Sequence, residues 1–337
     1  MEKINVGIIG VGRIGRLHAK SITYNIPDAV IKSVSDIKLD GVNEWAESLG
    51  IKNVYDDYHK IIEDKEIDAV LVCSSTDTHA QISIEAIEAG KHVFCEKPID
   101  YDLDRISKVL TAVKKSGVKF QVGFNRRFDH NFNRINQITK DGVIGEPHII
   151  KITSRDPEPP PIEYVKVSGG LFFDMTIHDF DMARFQAGSE ASEVFAVGAS
   201  LVDKKIGEAG DVDTAVVTIK FQNGAIAVID NSRKAVYGYD QRVEVFGSKG
   251  SIEAKNDTET NTILRTEQAV SKDKPLYFFL ERYMKSFINE MKEFFEAIKN
   301  DTETPVKGID GLNAVIIAMA AKKSLEEGRP IKISEIV

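Results

Sequence analysis

Two cysteines in 337 residues are too few for a disulfide framework. Cys73 and Cys95 each sit late in an apolar run and lack metal-ligand spacing. Packed thiols in a reducing compartment are the expectation. A His-Glu-x-x-His pair is also missing, so no metal is expected. No apolar run reaches membrane-spanning length, and the N-terminus lacks a basic, apolar and cleavable succession. A cytoplasmic location without a membrane partner follows as the expectation. Positive charge is not in excess: 44 Lys and Arg face 52 Asp and Glu, a net charge of −8. That argues against a nucleic-acid or anionic-membrane partner. Repeats and low-complexity tracts are absent as well. What remains is a chain long enough for about two domains, with small-molecule chemistry open to it.

Ile4 to Ile9 reads as a central parallel strand. It runs into Gly10-Val11-Gly12-Arg13-Ile14-Gly15 and then an amphipathic stretch to about Tyr24. Strand, Gly-x-Gly-x-x-Gly and helix in that order predict a dinucleotide site. The first glycine makes the tight turn, the second admits the pyrophosphate, and the third lets helix and strand approach. Gly10, Gly12, Arg13, Ile14 and Gly15 are therefore cofactor candidates. The strand Val30 to Ser35 ends at Asp36, followed by Ile37. An acid there accepts from ribose hydroxyls and repels a 2′-phosphate, which favours NAD, although Lys38 leaves some tolerance of NADP. The alternative for Asp36 is a helix cap.

Asp68 to Cys73 is a third strand, ending in Ser74-Ser75-Thr76. Thr76 or Asp77 should cap the helix that follows. Ser74, Ser75, Thr76 and His79 are cofactor candidates, with turn and cap roles as the alternative. Val93-Phe94-Cys95 is a buried strand that emerges as Glu96-Lys97-Pro98, where open α/β sheets hold ligands. Pro98 stiffens the backbone, pushes Lys97 towards extended geometry and permits a cis bond. Lys97 reads as a positioned charge, with Glu96 beside it. A helix from about Leu103 to Ser116 and a strand from Lys119 to Phe124 follow. Strands alternating with helices predict a doubly wound parallel sheet over 1–123.

The second half, 124–337, reads as an α+β domain for substrate and association. Pro147 to Thr153 is a strand, and 154–161 is a stiff, proline-rich exit. In Gly169 to Asp181, a continuous helix would put Asp174, His178 and Asp181 on one face at i, i+4 and i+7. A histidine one turn from a carboxylate is a candidate general base; a satisfied core histidine is the alternative. From about Glu193 to Arg265 strands follow one another, with turns at 222–225 and 247–250. They predict an open, largely antiparallel sheet flanked by helices. Apolar residues on both faces of Ala225 to Ile229 predict a second cover, hence association of subunits. Lys274 to Lys299 carries a stripe of Phe279, Tyr283, Phe287, Met291 and Phe294, which is core by spacing. Tyr283 alone offers a hydroxyl that could reach substrate. The small-residue helix of about 309–327 is expected to pack closely, returning to the first domain.

Gly10-x-Gly12-x-x-Gly15, Asp36, Glu96-Lys97-Pro98 and Gly123-Phe124-Asn125-Arg126-Arg127-Phe128-Asp129 follow one another at a known spacing. The chain resembles the glucose–fructose oxidoreductase/inositol dehydrogenase family along nearly its whole length. That resemblance implies a Rossmann domain, NAD and a homotetramer packed through the open sheets. It assigns Lys97 to nicotinamide and substrate, His178 to acid/base work and Asp174 to its partner. Ser154-Arg155-Asp156-Pro157 resembles the inositol dehydrogenase branch, which makes Asp156 a polyol ligand. Arg127 and Asp179 would offer further hydrogen bonds. The implied reaction is oxidation of a cyclic polyol, first of all myo-inositol to 2-keto-myo-inositol. Scyllo-inositol, another sugar or a sugar nucleotide, transient oxidation by an NAD-dependent glycosidase, and a non-catalytic NAD-sensing regulator are the other expectations.

Overall fold

Residues 3–337 are described by a computed structural model. Two compact units divide the chain. One holds the residues up to Asn125 together with Lys285–Leu312; the other holds Arg126–Met284 and Asn313–Val337.

The first unit alternates strands and helices. They are β1 (Ile4–Ile9), α1 (Arg13–Asn25), β2 (Ala29–Ser35), α2 (Val42–Ser48), β3 (Asn53–Tyr55), α3 (His59–Ile62), β4 (Ala69–Val72), α4 (Thr76–Glu88), β5 (His92–Cys95), α5 (Leu103–Ser116) and β6 (Phe120–Val122). Six parallel strands pair in the order β3-β2-β1-β4-β5-β6. The order reverses between β1 and β4, where such sheets hold nucleotides. β4 is buried along its whole length, as a strand covered on both faces must be. Helix α5 starts where the Asp102 side chain accepts from the Asp104 and Arg105 N–H groups. It ends at Gly117, whose φ of 73° suits a residue without Cβ. Helix α4 departs from expectation at its start: Ser75, not Thr76 or Asp77, holds the cap position, without a side-chain cap bond. The nearby hydroxyls are engaged elsewhere, Thr78 Oγ1 with the Ser75 carbonyl and with Ser74 Oγ.

The second unit contains α6 (His130–Lys140), β7 (Pro147–Arg155), α7 (Ile162–Val165), α8 (Leu171–Asp174), α9 (Ile177–Ala187), β8 (Ala191–Ala199), α10 (Lys204–Glu208), β9 (Thr214–Phe221), β10 (Ile226–Ser232), β11 (Asp240–Gly247) and β12 (Gly250–Ala254). A small hairpin follows, β13 (Ile263–Arg265) with β14 (Val270–Lys272). Helices α11 (Phe279–Lys299) and α12 (Gly308–Glu327) and strand β15 (Ile331–Lys332) complete the chain. The seven-stranded sheet runs β12-β11-β7-β10-β9-β8-β15, antiparallel except between β7 and β10. Both expected turns are present: Gly224, at φ 91°, sits in the loop from β9 to β10, and Gly247 pairs Gly250 across the second.

One helix boundary differs from the expectation. Helix α11 begins at Phe279 rather than Lys274. The preceding residues are extended instead: Pro275 bridges Thr258, and Leu276 exchanges backbone hydrogen bonds with Asp257 and Tyr239. Met291, Phe294 and Phe295 of α11 fill the same core as Val6, Ile8, Leu71 and Phe94. Gly311, at the start of α12 and within the first unit, has no room for a Cβ, which would lie 2.7 Å from the Ile99 side chain.

Candidate active site

In the first unit the glycine loop fits a bound pyrophosphate. Gly10 has φ 90°, and a Cβ there would lie 2.5 Å from the Cys73 carbonyl and the Ser74 nitrogen. A Cβ on Gly15 would strike the Gly10 carbonyl, whereas one on Gly12 would meet nothing. The turn is therefore tight behind and open in front, at the positive end of α1, which Arg13 and Ile14 begin. Asp36 Oδ2 accepts the Val11 N–H at 2.8 Å, and Oδ1 accepts the Lys38 N–H at 3.0 Å. Those bonds aim the carboxylate beside the loop and leave each oxygen further acceptor capacity for ribose hydroxyls. Ile37 next to it is exposed.

The other strand ends join this loop. His79 is buried: Nδ1 is 2.8 Å from the Pro98 carbonyl and Nε2 is 3.0 Å from the Ser74 carbonyl. It ties the exit of β4, with Ser74 and Ser75 ahead of Thr76, to the turn after β5. The Lys97–Pro98 bond is cis. Glu96 Oε1 lies 2.7 Å from Nε2 of the buried His18 on α1. Room for that carboxylate exists because Gly123 lacks a Cβ, which would stand 2.9 Å from Oε2. Glu290 of α11 is fully buried, and neither carboxyl oxygen has a hydrogen-bond partner among the described residues. Burial, and then Glu96, push its carboxyl well above the usual range. Burial also raises both thiols, Cys95 to about 12, so they stay protonated.

In the second unit, Asp174 and His178 do not share one helix. The Leu171 carbonyl accepts from both the Met175 and the Thr176 N–H groups, and the Thr176 hydroxyl adds a third bond. Such a doubled acceptor interrupts the regular ladder. Asp174 therefore ends α8, while His178, in the first turn, and Asp181 lie three residues apart in α9. Asp174 Oδ1 accepts from the Tyr164 hydroxyl at 2.9 Å, and Oδ2 from Arg233 Nη1 at 2.9 Å. Arg233 Nη1 is also 3.8 Å from Asp156 Oδ2.

A buried polar layer lies behind these groups. Arg126 Nη1 donates to Asp179 Oδ1 at 2.5 Å, and Asn231 Nδ2 donates to Asp179 Oδ2 at 2.9 Å. Asp179 is fully enclosed. Burial raises its pKa, against the influence of Arg126 and Asn231. Arg127 forks onto Asp181, Nε to Oδ2 at 2.8 Å and Nη2 to Oδ1 at 2.5 Å, both residues buried. Tyr283 is enclosed too, its hydroxyl 3.4 Å from Gln241 Oε1. The structure thus groups Asp156 and Asp174 with Arg233, and sets Arg127, Asp179 and Tyr283 into the interior.

Sequence reasoning passed over Arg126, Arg233, His18 and Glu290. Glu290 had a signal: it stands between Phe287 and Phe294 on the apolar stripe, three and four residues away. Arg233 had none, since its partner Asp174 is 59 residues distant.

Comparison with known proteins agrees with this architecture. Residues 4–124 match the NAD-binding Rossmann domain of the GFO/IDH/MocA oxidoreductase family, and residues 132–253 match its C-terminal domain. The chain is 52% identical to a myo-inositol 2-dehydrogenase of Thermotoga maritima, covering 99% of this chain and all of that one. It is 44% identical to an inositol 2-dehydrogenase of Rhizobium meliloti, over 98% and 99% of the two chains. A crystal structure of a probable dehydrogenase from Thermotoga maritima superposes with a TM-score of 0.97 at 51% identity, over 99% of this chain and all of that one. With both halves matched and the glycine loop and Asp36 in place, the chain belongs to the GFO/IDH/MocA family as an NAD-dependent oxidoreductase.

Proposed function

We propose that the chain oxidises myo-inositol to 2-keto-myo-inositol. The observation that carries the substrate class is the pair Asp156 and Asp174, partly exposed carboxylates held by one guanidinium. Carboxylates accept hydrogen bonds from hydroxyls and offer nothing to a hydrocarbon. Full-length identity of 52% to a myo-inositol 2-dehydrogenase supports the choice of polyol.

In this reading NAD, when bound, supplies the hydride acceptor. His178 takes the proton of the reacting hydroxyl as general base. Lys97 donates a hydrogen bond to the oxygen that loses it and offsets the charge developing there. Asp174 stabilises the imidazolium through its fixed negative charge. Asp156 accepts from a second hydroxyl and so fixes which carbon reacts. The glycine loop and Asp36 hold the cofactor's phosphate and ribose ends.

Two further parts of the proposal concern assembly and location. Phe246, Ile149 and Ile226 are exposed and lie side by side on β11, β7 and β10, and Val197 faces Val216 on β8 and β9. An apolar row of this kind on an open sheet face supports association of copies into a homotetramer. Protonated, unlinked thiols support residence in the reducing cytoplasm.

The test is initial NADH formation with myo-, scyllo- and chiro-inositol and glucose, each with NAD and NADP. Fastest turnover on myo-inositol with NAD is the expected result. Preference for scyllo-inositol would correct the isomer. Silence on all four with NAD still bound would sink the proposal and leave a sugar nucleotide, a glycosidase or a regulator to test.

A further inference from the structure

Arg233 stands just past β10, where its N–H donates to the Asp213 carbonyl at 2.8 Å. Its side chain is 3% exposed, against 15% for Asp174 and 25% for Asp156. Nη1 reaches towards both acids, while Nε and Nη2 are buried without a hydrogen-bond partner among the described residues. A guanidinium cannot shed its proton in a protein. It is therefore a fixed positive charge set between two acids. Burial and the neighbouring Asp174 would otherwise drive Asp156 to take up a proton.

We propose that Arg233 is a positioning residue that holds Asp156 ionised beside Asp174, so that both carboxylates are presented to substrate as acceptors. The chemistry recognised is then a polyol whose neighbouring hydroxyls donate. The inference rests on the polyol reading above and deepens it.

The charged neighbours of Asp156 are Arg233, Asp174, Arg126 and Asp179, with Tyr239 also close. Arg126 is paired with Asp179, whereas Arg233 Nη1 lies 2.9 Å from Asp174 and 3.8 Å from Asp156. Burial pushes the Asp156 carboxyl up to about 6, Arg233 is the largest influence opposing that rise, and Asp174 adds to it. Loss of Arg233 moves this titration upward into the neutral range, and substrate affinity then falls as pH drops towards 6 from a higher starting point.

The experiment follows aspartate carboxyl carbons by 13C NMR in the full chain, with the Asp156 signal assigned through D156N. Titration of the parent, R233K and R233Q gives three midpoints. R233Q is expected to raise the Asp156 midpoint by about one pH unit, with R233K close to the parent. An unmoved midpoint in R233Q overturns the proposal. If R233Q does not fold, D174N decides. Removing that negative charge should lower the Asp156 midpoint, and an unmoved midpoint again overturns the proposal. In parallel, KM for myo-inositol should rise in R233Q more than kcat falls, and R233K should restore it. Because the titration needs no turnover, a parent that ignores inositol would refute the substrate while leaving the charge arrangement decided separately.

Discussion

Replacing Glu290 by Gln tests the charge inventory beneath the cofactor loop. The carboxyl is fully enclosed, both oxygens lack partners among the described residues, and its folded pKa lies well above 4.5, through burial first and Glu96 second. An acid with a raised folded pKa binds its proton in the folded state after the unfolded chain has lost it. Its contribution is fully present below the unfolded value and is lost as pH rises towards the folded one. Each pH unit inside that window costs the wild type about 1.4 kcal/mol. Glutamine keeps the shape and removes the titration. Urea unfolding of the two proteins, followed by the fluorescence of Trp45 at half-unit steps from about pH 5 to 8, measures the difference. The variant should gain on the wild type steadily as pH rises, by about 1.4 kcal/mol per unit at the steepest. Parallel stability curves would mean that Glu290 is ionised in the fold and that a counter-charge has been overlooked.

Other residues give sharper contrasts. H178A should lower kcat by about 10²- to 10⁴-fold while NAD still binds by fluorescence titration; turnover within about threefold of the parent would remove His178 from the role. D36A should raise KM for NAD about tenfold or more by deleting charged hydrogen bonds, and narrow the gap to NADP. R127M should cost about 3–5 kcal/mol in denaturant unfolding, because the buried Asp181 carboxylate loses the fork that Arg127 makes to it. Normal stability with a raised KM for inositol would instead return Arg127 to the substrate.

Local pattern carried the architecture, and long-range pairing limited the reading of the site. Ala69–Val72 is apolar throughout and Ile4–Ile9 is apolar but for Asn5, so their place in a buried parallel sheet was legible. The three-residue β3 carries too little pattern to find. Asp174 and His178 have helical spacing, but the helix breaks because Thr176 spends its hydroxyl on the Leu171 carbonyl and on Asn231, 55 residues away. Arg126 and Arg127 are neighbours in sequence with the same chemistry. Only the fold decides that one meets Asp179 and the other Asp181.

Division of α11 between the two units also bears on how the chain is made. Met291, Phe294 and Phe295 complete the core around Phe94, yet residues 126–284 leave the ribosome before them. At ordinary synthesis rates that interval lasts roughly 10–30 s. Throughout it the nascent nucleotide-binding unit holds an unfilled apolar face, so its first 125 residues await their own far end before they can close.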